Sequence, residues 1–239
     1  LGTGCGVQAL HLARHAERVV ATDLNPRALQ LAHLTFALNR TSLNQTRVDV
    51  RQGSLFAPVA GERYDLIVTN PPFVMSPPRT DAQRLTYREG SFAGDGLMET
   101  VVRNAHDHLN PGGILQVLGN WAVRDSEPWT ERLASWASPG CDLWVIERER
   151  LDVFEYIEMW LTDAGLGPSP DWRARYDEWL AYFSALGITG IGMGWITVTR
   201  SEREHPDILV ESWPYAVEQP VGAALGARAS AVTLASLSD

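Results

Sequence analysis

The sequence contains no lysine; all twenty of its cations are arginine. That is read as a codon bias toward arginine and carries no chemistry of its own. Cysteine is scarce as well. Cys5 and Cys141 are too few for a disulfide framework, so both are expected reduced, in a cytoplasmic chain. Cys5 lies within a glycine-rich stretch, where a small buried residue is expected. No Cys/His group has metal-ligand spacing, so no metal is expected. The six histidines are scattered; His11 and His15 share a helical face and are read as structural. There is no apolar run of about 18 residues, so neither a membrane-spanning helix nor a membrane partner is expected. No secretory leader is recognisable, and no internal repeat. The first residue is Leu1, in the middle of a glycine turn. The chain is therefore expected to be a fragment of a longer protein.

What is present supports one globular core. Of 239 residues, 45% are hydrophobic, enough for one core and an appendage. The net charge of −9 is unevenly spread. Residues 1–60 hold six arginines against three acids, residues 61–150 nine against thirteen, and residues 151–239 five against thirteen. So acidic a final third argues against its lying along a phosphate backbone.

Short apolar runs alternate with helical stretches, the pattern of an α/β fold with a mainly parallel sheet. Strands are expected near 19–23, 47–51, 64–69, 114–118, 143–146 and 194–199. Helices are expected over 7–16, 25–39, 95–109 and 129–137. Pro26 suits the first turn of its helix, where a missing N–H matters little. Asn110-Pro111-Gly112-Gly113 reads as a turn. The stretch 152–186 reads as two helices inserted before the last strand. A doubly wound sheet needs a central strand ahead of Gly2, and the sequence lacks it. The character changes after Pro206, so residues 1–206 are read as the main domain and 207–239 as the possible start of a C-terminal one.

Two motifs carry chemistry. In Gly2-Thr3-Gly4-Cys5-Gly6 the glycines let backbone pass close to a ligand, and the helix start that follows offers free N–H groups. Alone that is weak. It strengthens because a strand ends in Asp23, about 20 residues on, where an acid accepts from ribose hydroxyls. The competing reading makes Asp23 a capping acid before Asn25-Pro26. The spacing differs from the dinucleotide fingerprint, whose third glycine comes later. The second motif, Asn70-Pro71-Pro72-Phe73 directly after a strand, is the more specific. Two prolines freeze the turn and fix the Asn side chain and nearby carbonyls. Those oxygens suit the two donors of an NH2 group, and an aromatic ring can stack on a flat substrate.

Together these features resemble the class I S-adenosylmethionine-dependent methyltransferases, more narrowly their amino-methylating branch. That branch includes HemK-like glutamine methyltransferases, adenine-N6 DNA enzymes and rRNA or tRNA base methyltransferases. The resemblance covers about residues 1–150 and the strand near 194–199. It implies a Rossmann-like doubly wound fold whose first strand is missing from this fragment, and makes 1–206 the catalytic domain. It implies S-adenosylmethionine as cofactor, with Gly2, Gly4 and Gly6 along its methionine and ribose parts. Asp23 would then bind the ribose, and Ser54 and Leu55 would flank the adenine. Many relatives carry an acid at the Ser54 position. It also implies Asn70, Pro71 and Phe73 as the catalytic set.

Substrate contacts are sought in the loop beyond. Arg79, Arg84 and Arg88, with Tyr87, are candidates for phosphates or an acidic partner; the alternative is a solvated loop. Gly94-Asp95-Gly96-Leu97 resembles a stretch of the glutamine enzymes, and Asp95 also suits a helix N-cap. All nine tryptophans lie after residue 120. Trp160, Trp172 and Trp179, with Tyr156, Tyr176 and Tyr182, crowd the acidic insertion. Packing onto the sheet is expected there rather than a stacking platform for bases. The expected partner is macromolecular: an RNA or DNA base, or a protein glutamine. Two other classes are weighed, a non-catalytic cofactor-binding scaffold and a nucleotide-dependent oxidoreductase.

Overall fold

The computed structural model describes residues 1–40, 46–78, 92–167 and 170–235. Seven strands and seven helices are named among them. They are α1 (Val7–Leu12), β1 (Arg18–Asp23), α2 (Pro26–Leu38), β2 (Arg47–Gln52), β3 (Tyr64–Thr69), α3 (Gly96–His108) and β4 (Leu109–Val123). After these come α4 (Trp129–Ala134), β5 (Cys141–Asp152), α5 (Val153–Asp163), α6 (Pro170–Ala185), β6 (Gly190–Arg200), β7 (Ile208–Ser212) and α7 (Gly222–Ala235). None of these helices is long and apolar enough to cross a membrane.

β1 and β2 form a parallel pair. The other five strands form one sheet in the order β3-β4-β6-β5-β7. Only β6 runs antiparallel to its neighbours. This is the Rossmann-like α/β arrangement expected, divided where the central strand ahead of Gly2 was expected. A cavity of about 540 Å³ occupies that place, lined by β1, β3 and α1. Leu1 enters it from one end, donating its terminal nitrogen to the Val68 carbonyl at 3.0 Å. Thr3 donates to Thr22 on the other wall at 2.8 Å.

Three apolar clusters hold the layers. α1 and α2 pack on β1 through Ala9, Ala32 and Phe36. α3 and α4 pack on the larger sheet through Val101, Ala105, Leu133, Leu115 and Val145. The inserted helices α5 and α6 pack with Val74, Met75, Ala122 and Ile191. Packing of the insertion was the reading preferred from sequence.

Several expectations are corrected. α1 stops at Leu12, not residue 16. Cys5 is exposed, and Gly6 is the buried member of the turn. A Cβ on Gly6 would sit 3.0 Å from the Phe36 ring and 3.1 Å from the Ala32 methyl, so the turn's inward contact is made there. Cys141 is buried, and burial pushes its thiol up to about 11. Residues 110–113 leave the ladder: Tyr64 pairs with Leu109 and Leu66 with Ile114, so the expected turn is an irregularity within β4. β4, β5 and β6 are longer than expected, because their outer halves pair with one another beyond the end of β3. Apart from these corrections, β7, in the stretch after Pro206, pairs parallel with β5.

Candidate active site

The sequence-predicted residues gather at the C-terminal ends of the parallel strands, where ligands bind in doubly wound sheets. Gly2, Gly4 and Gly6 all have positive φ, of 60°, 54° and 85°. Unlike Gly6, a Cβ built on Gly2 or Gly4 meets nothing within 4 Å, so their backbone faces open space. The Asp23 carboxylate accepts from Gly4 N at 2.8 Å and from Asn25 N at 2.9 Å. It therefore tethers the glycine turn and also braces the start of α2. Asn25 is the residue that caps that helix, its side chain accepting from Arg27 N. A carboxylate has about four lone-pair positions, so Asp23 retains acceptor capacity beyond these two bonds.

The Asp23 carbonyl accepts from Gly53 N at 3.0 Å, which brings Ser54 and Leu55 to the same rim. Leu55 has a positive φ of 47° and packs partly into the main core, while Ser54 is exposed. On the other side, Leu1 is bonded to both Val68 and Thr69, the two residues ahead of Asn70. Hydrogen bonds thus link the end of β3, at Val68 and Thr69, to Leu1, the glycine turn to Thr22 and Asp23, and Asp23 to Gly53.

Asn70 is exposed at the end of β3, Pro71 is buried, and Phe73 is half-buried. No hydrogen bond to a described residue holds the Asn70 side chain, so its amide is free to meet a substrate. Phe73 packs against both the main core and the insertion. Arg79, Arg84 and Arg88, with Tyr87, lie outside the described residues.

The Gly94–Leu97 stretch is built differently from the expectation. Asp95 stands at the N-cap of α3, but its side chain does not cap the helix. It is 5% exposed and accepts from Ala122 N at 2.8 Å and Arg132 Nη2 at 2.7 Å. A buried carboxylate needs partners, and a cation with a backbone donor outweighs a cap. Gly94 N donates to Tyr182 Oη at 2.8 Å. Sequence reasoning missed Asn120 and Arg132, and it expected Tyr156 and Tyr182 only to pack, without their hydroxyl bonds. Their partners are distant in the chain, and no local spacing marks them.

A family model described as methyltransferase small domain matches residues 1–127. The chain belongs to that family. The match includes the glycine turn, Asp23 and the Asn70 motif. The chain is 32% identical over 145 residues to a ribosomal protein uL3 glutamine methyltransferase of Bradyrhizobium diazoefficiens, covering 57% of this chain and 44% of that protein. It is 36% identical over 129 residues to a release factor glutamine methyltransferase of Xylella fastidiosa, covering 51% and 46%. It is 30% identical over 122 residues to a ribosomal RNA small subunit methyltransferase C of Salmonella arizonae, covering 50% and 30%. The chain spans less than half the length of each of these relatives.

Proposed function

We propose that this methyltransferase domain transfers a methyl group from S-adenosylmethionine to a planar amino nitrogen, on a protein glutamine or on a nucleic-acid base. The observation that carries the reading is the exposed Asn70 amide, followed by two prolines and standing directly after Val68 and Thr69, which hydrogen-bond to Leu1 beside the glycine turn. The open backbone at Gly2 and Gly4 and the acceptor capacity of Asp23 fit the cofactor. S-adenosylmethionine, when bound, supplies a methyl group already activated by its sulfonium. Gly2 and Gly4 would admit it closely while Gly6 packs the turn on α2; Asp23 would accept from its ribose, and Ser54 and Leu55 would flank its adenine.

Asn70 Oδ1 and the Pro71 carbonyl accept the two hydrogens of the substrate NH2. This aims the nitrogen lone pair, and Phe73 packs on the plane of the group. As positive charge grows on nitrogen, the same acceptors bind more strongly, which favours the transition state over the ground state. The surplus proton leaves to water, which reaches the exposed Asn70. No general base is required. The family match across the intact motif favours this over a non-catalytic scaffold. In the same reading the catalytic domain, expected over 1–206, continues through β7, and the acceptor is met in the cytoplasm.

Two relatives are named as glutamine enzymes, and the acidic final third also fits a protein acceptor better than a polyanion. The experiment gives the full-length protein a cell extract and S-adenosylmethionine with a labelled methyl group, beside an Asn70→Ala control. Asn70-dependent label in the protein fraction supports a glutamine acceptor. Label in RNA or DNA supports a base and turns attention to Arg79, Arg84 and Arg88. Label that is equal in both samples refutes the role given to Asn70.

A further inference from the structure

The family match ends at residue 127, so it gives no account of the inserted helices α5 and α6. Three of their side chains nevertheless contact Phe73 and Met75, just after the Asn70 turn, and Gly94, just before α3. Trp160 meets Phe73 edge to face, with ring centroids 6.4 Å apart. Tyr156 Oη accepts from Met75 N at 3.0 Å and from Asn120 Nδ2 at 2.8 Å. Tyr182 Oη accepts from Gly94 N at 2.8 Å. Val74 and Met75 are themselves buried in the core of the insertion.

Pro71 and Pro72 leave little torsional freedom between Asn70 and Phe73. Fixing the Phe73 ring and the Met75 amide therefore restrains the backbone turn that carries Asn70. Tyr156 holds its end firmly. It is fully buried, and losing its hydroxyl would strand two buried donors, Met75 N and the Asn120 amide. The Trp160 edge limits the tilt of Phe73, the ring assigned to the plane of the acceptor. Neither residue comes from the elements that form the glycine turn, Asp23 or Ser54.

We propose that the α5–α6 insertion is the acceptor-positioning element of this enzyme. Tyr156 and Trp160 act as positioning residues that hold Asn70 and Phe73 in the geometry receiving a planar amino group. The proposal rests on the reading of Asn70 given above. It separates two halves of the site: the cofactor side belongs to the family core, and the acceptor side depends on the insertion.

The test uses the full-length protein with Tyr156→Phe, Trp160→Leu, Trp160→Phe and Asn70→Ala. Initial rates are read as methyl label entering extract macromolecules, over a range of S-adenosylmethionine concentrations. Binding of S-adenosylhomocysteine is measured by calorimetry on the same samples. Tyr156→Phe and Trp160→Leu are expected to lower the maximal rate at least tenfold. Their KM for S-adenosylmethionine and their affinity for S-adenosylhomocysteine should stay within twofold of the parent. Trp160→Phe, which keeps an aromatic edge, should recover most of the rate. Parent-like rates in the Tyr156 and Trp160 variants, beside an inactive Asn70→Ala, would overturn this proposal alone. A parent-like rate in Asn70→Ala would overturn it together with the reading it rests on. Parallel loss of S-adenosylhomocysteine binding would also overturn it, because the insertion would then support the whole domain rather than the acceptor side.

Discussion

The backbone N–H of Gly4 donates to the carboxylate of Asp23 at 2.8 Å. One acid at the end of β1 thus shapes the turn that precedes α1, as well as offering itself to a ligand. Hydrogen bonds to charged groups contribute about 1.5–3 kcal/mol. Asp23→Ala removes both the tether and the acceptor proposed for the ribose. It should weaken S-adenosylhomocysteine binding by about 10- to 100-fold in titration calorimetry. Asp23→Asn, which keeps one acceptor oxygen, should fall between the two. Parent-like affinity in Asp23→Ala would show that the turn holds its shape unaided.

Asp95 joins α3, β4 and α4 through Ala122 N and Arg132. The Arg132 side chain is 11% exposed, and Glu127 is its other acidic neighbour, at 3.3 Å. Removing one partner of such a buried pair costs about 3–5 kcal/mol. Asp95→Ala should lie near the lower end in urea denaturation, since Glu127 still offsets part of the stranded charge. The double variant Asp95→Ala with Arg132→Met should be more stable than Asp95→Ala alone. A loss below about 1 kcal/mol in the single variant would contradict the account.

Along β1 and β3, alternate backbone groups turn toward the cavity between them. Bonds at the Thr22 and Val68 carbonyls set that phase, which places Val20 and Leu66 amides on the cavity side. The lining offers apolar residues on both faces, Ala9 and Leu12 on one and Phe56 and Val59 on the other. Such a slot accepts a parallel strand apolar on both sides. A chain extended ahead of Leu1 by about six apolar residues, the length of β1 and β3, should fill it. Hydrogen exchange at Val20 and Leu66 should then slow by at least tenfold relative to the chain that starts at Leu1. Equal exchange in both chains would rule out strand insertion.

What the sequence made legible was local. Asn25-Pro26 announced the start of α2 because both residues act within one turn of themselves. The end of β3 was legible because Asn70-Pro71-Pro72 cannot continue a ladder. The outer half of β6 was not: the expected strand began at Gly194, and Gly190 and Gly192 carry no side chain to mark its extension. Gly192 is there because a Cβ would overlap Trp121 and Glu147, which cross it from the neighbouring strands. The charged run Glu147–Arg150 hid the outer half of β5, although Arg150 neutralises Glu147 through a two-nitrogen contact, both at 2.9–3.2 Å. Asp95 has the spacing of a cap, yet its partners stand 27 and 37 residues away. The same distance concealed the hydroxyl bonds of Tyr156 and Tyr182.

The central claim is that Asn70 positions the acceptor nitrogen while leaving the cofactor to other residues. Its most direct test is Asn70→Ala in the full-length protein, with methyl transfer and S-adenosylhomocysteine affinity measured on one preparation. The account predicts turnover lowered by about 10²-fold, in line with losing one pre-organised hydrogen-bonding group, and affinity within twofold of the parent. Unchanged turnover with intact affinity would contradict it.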